Sequence, residues 1–220
     1  MREGAPSTLG GSLMARDTQA VQDDIAYLRG LVHEGRNAPL LAGPILVTAG
    51  VVFGSASLGQ WAIQAGVINV NPWAQLWLWV ASGVIFAGVL TVLIGRMKTK
   101  PGFHSASNRS VGAAWEAVGY GIFVTWLALV ALSVKTGNWS WMAVMPTAVL
   151  VAYGSAWMIG AAMTRTRWMS LTALASYAGA VVVAWFVTDA LIFPVFAAVL
   201  VAVALVPGLI LMRQEPSEIV

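Results

Sequence analysis

Residues Val111 to Val134, VGAAWEAVGYGIFVTWLALVALSV, decide how this chain is read. At a rise of ~1.5 Å per residue the stretch reaches about 36 Å as a helix, enough to cross a ~30 Å hydrocarbon layer. It is also the only long apolar run that carries a side chain charged at neutral pH, Glu116, inside its boundaries. Five further runs resemble it in length: about Leu40 to Trp61, Trp73 to Ile94, Trp141 to Met163, Trp168 to Thr188 and Leu191 to Met212. Each is long enough for a membrane span. The last two are nearly continuous, but one helix from Trp168 to Met212 would be about 67 Å long, twice the membrane, so a turn is expected at Thr188 and Asp189. Asp189 is the expected N-cap of the sixth helix, with Pro194 tolerated in its early turns. Asn71 and Pro72 are the expected cap and first-turn proline of the second.

The composition points the same way. The 220 residues are 59% hydrophobic and 10% charged, where a soluble domain has ~45–50% and ~25%. The expected fold is therefore all-α: a polytopic membrane bundle of six transmembrane helices over residues 38–213, preceded by a short cytosolic amphipathic helix and followed by a tail at 214–220.

Lys and Arg between the runs set the orientation. Eleven of the twelve fall in alternate segments, from Arg2 to Arg36, Arg96 to Arg109, Arg165 and Arg167, and at Arg213; only Lys135 falls on the other side. The positive-inside rule then places both termini in the cytoplasm, with an even number of crossings. Trp61, Trp73, Trp139 and Trp141 occupy outer ends and Trp115 and Trp168 inner ends, as interfacial anchors do. The preference for Arg over Lys, with much Ala, Val and Gly, points to a bacterial inner membrane.

Ahead of the spans, residues 1–16 lack periodicity and lack the apolar core of a signal peptide, so an uncleaved flexible cytosolic tail is expected. Over residues 17–37, Val21, Ile25, Leu28 and Val32 recur at helical spacing and make one apolar stripe. The opposite face carries both signs, Asp23, Asp24, Arg29, Glu34 and Arg36, rather than the cationic excess of a helix held to anionic lipid. This stripe is a candidate docking face for a protein partner or for self-association.

Catalytic chemistry finds little support. Cysteine is absent, and both histidines, His33 and His104, lie outside the spans. No haem pair, zinc set or other cofactor is expected. Ser55 and Ser155 sit in Gly-Ser-Ala settings similar to those of intramembrane serine proteases, but such a nucleophile needs a base within hydrogen-bond reach and the spans contain no His or Lys near mid-membrane. The four basic residues from Arg96 to Arg109, without a fold around them, suit anionic lipid rather than nucleic acid.

The remaining candidates are polar groups in the spans: Glu116, with Tyr120, Tyr153, Ser155, Ser55 and Tyr177 around it as a transport site. The plainer reading places Glu116 a turn and a half from the inner helix end, beside Trp115, facing the helix N-terminus or paired with Arg109, Arg165 or Arg167. A short likeness between PILVTAGVVFGSAS from Pro44 and PTAVLVAYGSAW from Pro146 would, with three spans per half, be an inverted repeat of the transporter kind. Close helix packing on small residues accounts for the same letters. The favoured function is a non-catalytic membrane-embedded subunit, scaffold or regulator acting through association. The alternative is a small transporter or channel of inverted three-helix halves with Glu116 as its titrating group.

Overall fold

The computed structural model describes residue 25 and residues 40–71, 73–100 and 102–214. Among these residues all regular structure is helical. Six helices are long and apolar enough to cross a membrane: α1 (Gly43–Gln64), α2 (Trp73–Met97), α3 (Ala106–Thr136), α4 (Met145–Thr164), α5 (Arg167–Trp185) and α6 (Ile192–Gln214). A 3-10 turn, Trp139–Val144, leads into α4.

Their ends follow local chemistry. Ser105 caps α3, accepting from Asn108 N–H at 3.2 Å, and so draws Ala106 to Ser110 into the helix ahead of the apolar run that begins at Val111. Gly137, at φ 67, ends α3 in the left-handed conformation that glycine tolerates best. Asn71 Oδ1 accepts from Trp73 N–H at 2.9 Å, as a cap for α2 should; Pro72 lies outside the described residues. Asp189 is not the residue next to α6. Its carboxylate accepts from Leu191 N–H at 2.9 Å in a local turn, and the helix starts at Ile192, which puts Pro194 at its third position.

Neighbours in sequence run antiparallel, and the helices pack in the spatial order α2, α1, α6, α5, α4, α3. α1 crosses α6 on glycine. A Cβ on Gly208 would stand 2.9 Å from Gly43 O and from Val47 N, and a Cβ on Gly50 would stand 3.0 Å from the Leu205 backbone. Small residues thus let two backbones touch, the close approach that helices of membrane proteins use. α4 and α5 pack closely as well, with Tyr177 lying over Gly154. The apolar core runs through α4, α5 and α6, around Leu150, Trp157, Ala173, Val183, Leu200 and Val203.

Within α6 the segment Val201–Leu205 is π-helical, just before Pro207. In a regular helix the carbonyl of Val203 would accept from the N–H of residue 207, which proline lacks. Trp157 Nε1 of α4 donates to that carbonyl instead, at 2.9 Å.

α2 and α3 are different. α2 buries only Ser82, and α3 only Ser107, Val111 and Ser133. Among the described residues each packs mainly on one neighbour, α1 or α4, and leaves most of its apolar surface open. The start of α3 is also tied to the segment ahead of α1, where Leu41 N–H donates to Asn108 Oδ1 at 3.1 Å. The antiparallel arrangement gathers seven of the eight described basic residues, all but Lys135, at one end of the bundle.

Candidate functional site

The face that α3 turns to the bundle is set by Trp115. Its ring stands edge-on to Tyr153, with centroids 5.1 Å apart, and edge-on to Trp157, at 5.6 Å. Val111, Val118 and Ile122 join it on the same side, packed into the core. These positions follow helical spacing, so the next residue is rotated by about 100°. That residue is Glu116, and it is exposed on the outside of the bundle.

Neither support expected for Glu116 is present. The helix begins at Ala106, so its free N–H groups lie about 15 Å away, beyond the first turn over which they act. Among the described residues Glu116 has no hydrogen bond or ion pair, with Arg109, Arg165 and Arg167 included. Lys135 and Asp189, at the opposite end, are likewise not paired with each other.

The other candidate polar residues do not converge on it. Tyr120 is 65% exposed, on the same outer face of α3. Tyr153 lies in the core against Trp115. Ser155 is exposed; its hydroxyl lies 3.2 Å from that of half-buried Tyr177 and donates to Val151 O at 3.1 Å. Ser55, exposed on α1, donates to Val51 O at 2.7 Å. Only Ser155 and Tyr177 are brought together. Of the apolar stripe ahead of the spans, Ile25 is helical and exposed, while Val21, Leu28 and Val32 lie outside the described residues.

The two Gly-Ser-Ala segments do share a register. Leu46, Gly50, Gly54, Ala56, Ser57 and Gln60 are buried on α1, and so are the residues exactly one hundred positions later on α4: Pro146, Leu150, Gly154, Ala156, Trp157 and Gly160. Both helices open on an early proline and both turn the motif's serine outward. The likeness therefore extends to which face is buried, and that face carries packing.

Two polar arrangements escape a reading of the letters alone. Gln60, almost fully buried on α1, donates from Nε2 to Gln75 Oε1 of α2 at 2.6 Å and accepts from Trp79 Nε1 at 3.2 Å. Two glutamines in otherwise apolar helices were the available signal. The Trp157 to Val203 bond is the second, and Pro207, four residues on, was its signal. The hydroxyls of Ser133 and Ser176 are buried and have no hydrogen-bond partner among the described residues. Among the described residues no three His, Asp or Glu side chains gather.

Comparison with protein-family models, with curated proteins and with solved structures finds no match.

Proposed function

We propose that this chain is a multi-pass protein of the bacterial inner membrane, with both termini in the cytoplasm, that acts without catalysis as a membrane-embedded subunit, scaffold or regulator. One observation carries the reading: among the described residues the flanking helices α2 and α3 each pack mainly on one neighbouring helix and present long apolar faces outward. Gly83, Gly88 and Gly95 on α2, and Gly112, Gly119 and Gly121 on α3, have nothing among the described residues within 4 Å of where a Cβ would stand. Glycine inside a helix costs ~1 kcal/mol against alanine. In membranes small residues return that cost where another helix approaches closely.

The transport alternative needs Glu116 and both serines to line one path. Their separation onto different exposed faces supports association instead. The gathering of basic residues at one end of the helices supports the orientation.

The test is purification in mild detergent, with identification of every companion chain and the mass of the particle. A complex heavier than one 23.2 kDa chain is expected. Replacing Ile25 and Leu28 with Ser is expected to release the component held by the N-terminal stripe. A single bare chain in both detergent and lipid nanodiscs overturns the reading, and an unchanged complex in the double variant removes the stripe from it.

A further inference from the structure

Glu116 sits where a carboxylate is hardest to explain by lipid alone. The charges that flank the apolar part of α3 are Arg109 and Lys135, and the midpoint between them is Ile122. Glu116 is six residues from that midpoint, about 9 Å, and so about 6 Å inside the edge of a ~30 Å hydrocarbon layer. It is exposed there and has no partner among the described residues. Ionisable side chains at such depth ordinarily face a bundle interior, a wet cavity or a partner. The Trp115 contacts turn this one away from its own bundle.

The rest of that face has a definite pattern. Arg109, Glu116, Tyr120, Phe123, Leu127 and Val134 are all exposed, and their spacings of seven, four, three, four and seven are those of an a/d seam. Such a seam packs against a second helix at a shallow left-handed angle.

We propose that this face of α3 is the seam of a parallel homodimer, in which the Glu116 side chains of two copies meet across a twofold axis. The proposal rests on the association reading above and names its partner as a second copy of the chain. Three arguments select that occupant. All copies inserted with the same end inward carry α3 in the same direction, so a twofold axis along the membrane normal pairs it parallel and in register. Each seam residue then meets its own equivalent: aromatic and aliphatic positions match themselves, and a carboxyl group can act as both donor and acceptor toward its twin. Finally, Arg109 lies one heptad, about 10 Å, toward the helix start on the same seam, so each copy offers a cation near the other's Glu116. Among the described helices α3 is the last in the packing order, so its outer face is open to a second bundle.

The chain has no cysteine, so single-cysteine oxidation in native membranes reads the seam directly. Leu127→Cys is expected to give a disulfide-linked dimer in high yield, and Val84→Cys on the outer face of α2 little or none. Separately, Glu116→Leu should weaken dimerisation in detergent about three- to thirty-fold, the range for one interhelical hydrogen bond in membranes. Glu116→Gln, which keeps a donor and an acceptor, should leave it near wild type. Equal cross-linking at Leu127 and Val84, or a wild-type dimer in Glu116→Leu, overturns the proposal. Cross-linking of Leu127→Cys to a different chain overturns the homodimer while leaving association intact. A monomer with no cross-link to anything removes both.

Discussion

Trp157 Nε1 of α4 donates to the carbonyl of Val203 at 2.9 Å, at the residue four positions before Pro207 in α6. The indole takes the place of the backbone N–H that proline lacks. Trp157 is itself held edge-on by Trp115 and lies 5.7 Å, centroid to centroid, from Trp168. One side chain therefore connects α3, α4, α5 and the π-helical segment of α6.

Replacing Trp157 with Phe keeps a ring in place but removes the donor. The variant should lose about 1–3 kcal/mol, read as a lower unfolding midpoint in detergent. Pro207→Ala supplies a main-chain N–H for Val203, so in that background Trp157→Phe should cost clearly less. Strictly additive losses in the double-mutant cycle would show that the bond does not compensate for the proline.

The crossing of α1 and α6 leaves no room for a methyl group. Gly208→Ala would place its Cβ 2.9 Å from Gly43 O and from Val47 N, both backbone atoms that cannot step aside. The expected loss is about 1–3 kcal/mol. Gly88→Ala on α2, where nothing stands within 4 Å, should be neutral or slightly stabilising to the isolated chain. Thermal unfolding of both variants checks the contrast, and equal effects would mean that the crossing has room for a methyl group.

The existence of six apolar helices was legible because length and hydropathy report it directly. Which side of α3 faces the bundle was not, because a helix that is apolar all round carries no stripe to orient it. The start of α3 was hidden for a different reason: Ala106 to Ser110 have the composition of a loop, and only the Ser105 cap carries the helix back through them. That shift removes the N-terminal charge on which an interfacial reading of Glu116 depended. Asp189 shows the reverse limit, since its residue type signalled a turn correctly while the helix itself began three residues later.

Gln60 joins α2 to α1 with two hydrogen bonds, one to Gln75 and one from Trp79. Gln60→Leu would leave both partners unsatisfied near a buried position, a loss of about 1–3 kcal/mol. Because α2 packs mainly on α1 among the described residues, the effect should be local. Hydrogen exchange is expected to rise over α2 ahead of α4, α5 and α6, whereas a uniform rise across all helices would show α2 to be no separate unit.

Orientation underlies the proposed function and can be tested by labelling in this cysteine-free chain. Gln64 ends α1 and is exposed, at the end of the bundle opposite the basic residues. At the basic end Ser107 would look suitable from its place in the sequence, but it is only 3% exposed, and His104 is the open position nearby. A membrane-impermeant maleimide should therefore label Gln64→Cys in intact cells and His104→Cys only after the membrane is opened. The reverse pattern would put the basic end outside against the positive-inside rule. It would also remove the argument that Arg96, Lys98, Lys100 and Arg109 meet the anionic cytoplasmic leaflet. The α3 pairing would survive such a reversal, since two copies inverted together remain parallel, so the labelling result bears on orientation and leaves the dimer to its own test.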